Sequence, residues 1–198
     1  MKALLISIHT EHALDILKGD KKLELRKSVP KGFVGWVYGY VTKGKPYITM
    51  QSKTQFTLRN DNGYTNVINA TIPFRFWFEE YEKLNVSYSS WVYAPKKNEK
   101  IIKNLCLTDE QIEKYSWSNG AYKDLYAWHI KKLEIFDKPM ELGNLYTWNE
   151  SYEQCPFAMN LAEEYMTTEE ILVNRGSKTV TRPPQSYQYV WAKGESNE

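Results

Sequence analysis

The chain has 198 residues, of which 42% are hydrophobic and 25% charged, with a formal net charge of +2. That length can bury a sizeable core without disulfides or metals, and the composition excludes a disordered chain. The small net charge means that bulk electrostatics do not demand a nucleic-acid partner, while aromatics at 15%, with fifteen Tyr and seven Trp, supply rings for a core or for a binding surface.

Two cysteines, Cys106 and Cys155, make neither a disulfide framework nor a zinc site. The N-terminal apolar run is broken by His9 and Glu11, too early for a signal peptide, and no stretch is long enough to span a membrane. The expectation is a soluble, cytoplasmic protein.

Residues 2–8 (KALLISI) read as a buried strand. A short helix from Glu11 to Lys18 should follow, with Thr10 as its N-cap and Ala13, Leu14, Ile16 and Leu17 on its apolar face. Gly19 stands where a left-handed residue ends such a helix. In KKLELRK, Leu23 and Leu25 alternate with Glu24 and Arg26 in strand period, and SVPKG makes a turn. Residues 32–41 (GFVGWVYGYV) are the strongest strand, with Trp36, Tyr38 and Tyr40 on one face and Gly35 and Gly39 on the other. Glycines inside a strand mark curvature or close approach of another chain.

Residues 42–66 read as irregular, with KGKP and NDNG as turns, and 67–72 (VINATI) as another strand. FRFWFEEYEKL at 74–84 alternates at first and then reads as helical. Residues 85–103 look like an aromatic loop or hairpin followed by a basic turn. Thr108 and Gln111 form a capping-box pattern opening a helix over 109–115, and SWSNG is a loop. Residues 125–136 should be a long strand with a bulge, and DKPMEL a turn. The stretch Glu150 to Glu170 holds six glutamates and no Lys or Arg, with short helices expected near 157–165 and 168–173. Residues 1–48 carry a net charge of +5 instead, so one end is basic and the other acidic. RPPQSYQYVW is a proline-set turn leading into a last strand at 186–191, and KGESNE should fray. Short strands with few helices argue for a mainly β or α+β fold.

The densest chemistry is Gly19-Asp20-Lys21-Lys22-Leu23-Glu24-Leu25-Arg26-Lys27. Lys22, Glu24 and Arg26 share a strand face, where Lys and Arg can hold a phosphate or carboxylate and Glu24 can orient the guanidinium or accept from a base amino group. An ordinary solvated face with weak salt bridges is the alternative. His9, His12 and His129 form no metal motif and read as structural. Cys106 reads as buried rather than reactive. Neither GxGxxG nor a Walker loop occurs, so no nucleotide cofactor is expected. Trp36, Tyr38, Trp117, Tyr122, Tyr126 and Trp128 can stack on a base, although Trp36 and Tyr38 read better as core; Trp117 sits in the polar loop.

The opening MKALLISIHTEHALDILKGDKKLELRK resembles the ASCH domain family, a branch of the PUA-like β-barrels, through Ser7, Ile8, Ala13, Ile16, Gly19, Lys21, Glu24 and Arg26 in a G-x-K-x-x-E-x-R signature. YAWHIKKLEIFDKPMEL and RPPQSYQYV resemble the closing strands of such proteins, particularly phage and bacterial ones. The resemblance implies one domain over 1–198: a curved β-barrel with short flanking helices, a cleft beside the signature, and inserted segments near 42–121 and 145–175. It implies a nucleic-acid-binding module for RNA or a nucleotide. Lys21, Lys22, Glu24, Arg26, His9 and Trp117 are the contacts expected in such a module, with neither metal nor cofactor. One branch hydrolyses the acyl amide of N4-acetylcytidine with a Lys, a Thr three residues later and a further Glu. Lys21 matches the Lys, position 24 is Glu24 instead of Thr, and Glu79, Glu80 and Glu82 are unranked choices for the third residue. In that reading Lys21 and Glu24 are catalytic. A protein partner docking on the acidic and Tyr-rich segments is the third expectation.

Overall fold

The computed structural model describes residues 2–61, 63–84, 95–118, 120–148, 170, 172–173 and 176–192. The chain runs through β1 (Lys2–Ile8), α1 (Thr10–Leu17), β2 (Leu23–Arg26), β3 (Gly35–Val41), β4 (Tyr47–Ser52), β5 (Gln55–Arg59), β6 (Ile72–Phe78) and β7 (Tyr81–Leu84). There follow α2 (Pro95–Leu105), α3 (Asp109–Ser116), β8 (Trp117–Ser118), β9 (Ala121–Tyr122), β10 (Leu125–His129), β11 (Lys131–Met140), a 3-10 turn at Leu142–Asn144, β12 (Leu145–Thr147) and β13 (Tyr187–Ala192). Among the described residues no helix is long and apolar enough to cross a membrane.

The largest sheet has the order β11-β6-β3-β1-β13-β12, with β1 parallel to β3 and antiparallel to β13. A smaller sheet, β2-β10-β7, stands beside it. Two runs of chain serve both sheets, β6 into β7 and β10 into β11. The second turns at Ile130, whose amide donates to the Lys22 carbonyl at 3.0 Å. No ladder joins β11 to β12 among the described residues, so the fold is an open, β-rich α+β arrangement and the expected barrel is not closed. Residues 72–84, within the stretch read as an insertion, supply β6 and β7, and β6 is an inner strand of the large sheet.

Burial follows strand parity. Leu4, Ile6, Ile8, Val37 and Val41 meet Phe74, Phe76, Phe78 and the apolar face of α1 in the main core. The opposite faces of β1 and β3, Ala3, Leu5, Tyr38 and Tyr40, join a second cluster with Val190 and Ala192. Leu23 and Leu25 of β2 join a third with Leu84, Leu105, Ile112 and Leu125. Gly39 is required by packing: a Cβ there would lie 2.5 Å from the Phe74 ring.

Several local expectations change. His9, not Thr10, is the N-cap of α1. The Thr10 hydroxyl instead accepts from Asn69 Nδ2 at 3.1 Å. Residues 47–59 pair as the β4–β5 hairpin, whose turn has no glycine to announce it. The strand expected at 67–72 is mostly turn, because Asn69 points inward and takes the Ile48 amide at 2.8 Å, with Ala70 at φ 64°. Residues 81–84 are extended, not helical, because β7 pairs with β10. The basic run read as a turn lies in α2. β11 continues through the expected DKPMEL turn to Met140, by way of a register shift after Ile135. The capping box of Thr108 and Gln111 forms as expected. Most of the acidic stretch at 150–170, Cys155, the Tyr-rich segment at 85–94 and the C-terminal KGESNE lie outside the described residues.

Candidate functional site

The signature runs from the turn after α1 into β2, an edge strand of the smaller sheet. After α1 the chain reverses at Gly19 (φ 76°), and the amides of Asp20 and Lys21 both donate to the Asp15 carbonyl, at 2.9 and 3.1 Å. The strand period starts only at Leu23. Lys21 can therefore share a side with Glu24 and Arg26, while Lys22 points out to solvent. This corrects the expected Lys22–Glu24–Arg26 face: Lys22 is exposed and Lys21 takes its place among the buried charges.

Lys21, Glu24 and Arg26 are all buried, at 2%, 6% and 5% exposure. Arg26 Nη2 lies 2.9 Å from Glu24 Oε1 and donates to the Ser7 carbonyl at 2.8 Å. Lys21 Nζ lies 3.7 Å from Glu24 Oε2 and donates to the Leu105 carbonyl at the end of α2. Each charge is thus offset by a partner or a backbone dipole, as burial demands. Arg26 Nε is buried with no hydrogen-bond partner.

These three side chains help line a cavity of about 720 Å³. Its other walls come from Ser7 to His9 and His12, from Gln111, Lys114 and Tyr115 on α3, and from Pro184 and Gln185. Two cations against one carboxylate, with Lys114 on the wall, make it electropositive. The volume falls within the range of small-molecule sites.

His9 lines the cavity and is exposed. Trp117 does not line it; it stands outside, 49% exposed. Of the rings proposed for stacking, Trp128 and Tyr38 are core residues, and Trp36 lies edge-on to Trp77 under the Arg75 guanidinium. Glu79 and Glu80 pair with Lys131, and Glu82 lies 3.2 Å from His129 Nε2. None of the three lines the cavity, so the third acid of the amidohydrolase pattern is not supplied there. Among the described residues no cluster of His, Cys, Asp and Glu could hold a metal ion.

Several lining residues escaped the sequence reading, Lys114, Tyr115 and His12 among them. Tyr115 is the wall's aromatic ring, and burial pushes its hydroxyl pKa up. The capping box predicted its helix but not which way the ring faces. His12 was read as structural, yet it lines the cavity and its Nδ1 is buried without a partner. Its three-residue offset from His9 was the available signal. Burial first, then the charge of Lys21, lowers its pKa below 6.5, which favours neutral imidazole.

That shift sets a testable pH dependence. Below about pH 6.5 the unfolded chain takes up a proton at this position before the folded one does. Its stabilising contribution is therefore full above 6.5 and is lost as the pH falls through the folded value. Asp15, raised by burial from 3.8, acts in the opposite sense as the pH rises from there. The parent should accordingly lose more stability than His12→Gln between pH 7 and 5 in urea titrations. Parallel curves would contradict a desolvated imidazole.

No family model matches the sequence, and no match to a curated protein reaches significance. Solved structures do match in shape. The crystal structure of ASCH from Zymomonas mobilis superposes with a TM-score of 0.51 at 15% identity, over 94% of this chain and 86% of that one. Its tyrosine-to-phenylalanine variant gives 0.51 at 15%, covering 96% and 90%. Its serine-to-alanine variant gives 0.52 at 13%, covering 94% and 87%. With β1, α1 and the buried signature strand arranged as described, the chain has an ASCH-type fold.

Proposed function

We propose that the protein binds RNA or a free nucleotide, with one nucleotide seated in the cavity. The observation that carries this reading is the convergence of buried Lys21, Glu24 and Arg26 on a space of about 720 Å³ with Tyr115 in its wall. A base can stack on the tyrosine ring, an arrangement tolerant of base identity. The positive excess of Lys21, Arg26 and Lys114 over Glu24 suits a phosphate. Glu24 is an acceptor for an exocyclic amino group. The ASCH-type fold accords with this use.

Calorimetric titration with nucleoside monophosphates and short single-stranded RNAs tests the proposal. Binding should weaken between 50 and 200 mM salt through release of counterions. Lys114→Glu changes an exposed wall residue and should weaken binding of RNA and of nucleotide while leaving the fold intact. An unchanged affinity in that variant, or no binding by the parent, would overturn the proposal.

A second reading, an amidohydrolase of acylated nucleosides, is favoured by the buried Lys21–Glu24 contact at 3.7 Å. Water would add to the acyl carbon, the amide C–N bond would break, and the amine would leave with a proton. Glu24 would accept the proton from water, and Lys21 would stabilise the oxyanion. Turnover of N4-acetylcytidine, lost in Glu24→Gln, is the expected result for this reading. Inactivity of concentrated parent protein on several acyl groups would refute it.

A further inference from the structure

Trp117 has no place in the three core clusters and no place in the cavity, yet it is held firmly. Its amide donates to the Glu113 carbonyl and closes α3. Its ring meets Tyr122 across the short β8–β9 pair, with centroids 4.8 Å apart and planes at 73°. Tyr122 is itself anchored, because its hydroxyl donates to Glu113 Oε1 at 2.8 Å. The backbone is therefore fixed by the helix end and the indole by Tyr122, while 49% of the residue remains exposed. Fixing a ring before binding removes part of the entropy that stacking would otherwise cost.

Its position relative to the cavity is equally specific. Trp117 lies two residues beyond Tyr115, which lines the cavity, at a helix-to-strand transition. Two residues span at most about 7 Å between Cα atoms, so the backbone of Trp117 lies beside that of a cavity-lining residue. Lys114 lies on that wall, and Lys27 Nζ sits 5.1 Å from the Tyr115 ring centroid. Cations thus accompany the Tyr115 end of this path, where a strand's phosphates would need them.

We infer that Trp117 is a stacking platform for the nucleotide adjoining the one in the cavity, so that the site takes a single-stranded RNA segment rather than an isolated nucleotide. The inference rests on the cavity reading above and adds the direction in which the strand leaves it. It also gives Trp117 a role from outside the pocket.

The test compares a nucleoside monophosphate with RNA oligomers of two to six nucleotides, on the parent, Trp117→Ala and Trp117→Phe. The parent should bind the oligomers more tightly than the monophosphate. Trp117→Ala should lose about 5- to 150-fold on the oligomers, the equivalent of roughly 1–3 kcal/mol for one stacked base, and nothing on the monophosphate. Trp117→Phe should recover part of the loss. Thermal melting of each variant checks that the exposed substitution leaves the fold intact. Equal oligomer binding by parent and Trp117→Ala would overturn the inference and spare the cavity reading. So would a parent that binds both ligands equally. A Trp117→Ala variant that changes oligomeric state but not RNA affinity would assign the platform to self-association and overturn the inference as well. A parent that binds neither ligand would overturn both.

Discussion

Replacing Arg26 by Met is expected to lower the unfolding free energy by about 3–5 kcal/mol, the usual cost of removing one partner of a buried ion pair. The substitution keeps much of the side-chain volume, so the loss is electrostatic. Glu24 would lose its 2.9 Å partner and keep only Lys21 at 3.7 Å. The Ser7 carbonyl would lose the donor that ties β2 to the end of β1. Adding Glu24→Gln to Arg26→Met should return part of the loss, because a neutral amide is less costly to bury than an unpaired carboxylate. Urea denaturation of the parent and both variants measures this. A loss below about 1 kcal/mol for Arg26→Met would mean that the pair behaves as a solvated surface bridge, and that water reaches it freely.

Trp128→Ala is expected to cost a similar amount, about 3–5 kcal/mol, by a different mechanism. Trp128 is fully buried, with its ring 4.8 Å from that of Phe78 and 5.9 Å from that of Tyr187. Truncation would open a cavity in the main core that these rings could fill only by moving. Trp128→Phe should cost much less. It keeps an aromatic ring and removes an indole N–H that is buried with no acceptor. Nucleotide affinity should be unchanged in a Trp128→Phe protein that melts cooperatively, since the residue does not line the cavity. A clear fall in affinity there would return Trp128 to the binding surface, where its aromatic character alone would place it.

The contrast between Trp128 and Tyr115 shows where the sequence stops being informative. Both are aromatic, and both stand near the ends of short elements. Strand parity placed Leu23 and Leu25 together correctly, because alternation is a property of the backbone within four residues. It failed for Lys22, which precedes the strand and follows a left-handed glycine. Parity does not carry across a turn. The β4–β5 hairpin was illegible because its turn uses Lys53 and Thr54 rather than glycine. Residues 81–84 and 95–105 were misread because local propensity there is weak, and pairing with β10 or packing near β2 decides the outcome.

What the chain's own order settles is local: the first strand and helix, the reversal at Gly19, the capping box of α3, and the close run of Lys21, Glu24 and Arg26. These depend on contacts a few residues apart, whose geometry is set by covalent linkage. Whether those charges face water or one another could come only from the fold. The Ser7 and Ser186 carbonyls that Arg26 reaches, and the Leu105 carbonyl that holds Lys21, are 19, 160 and 84 residues away along the chain. The same holds for His12 and Tyr115, which lie far apart in the chain and line one cavity. Desolvation depends on what surrounds a group in space, and no short window of sequence encodes that surrounding.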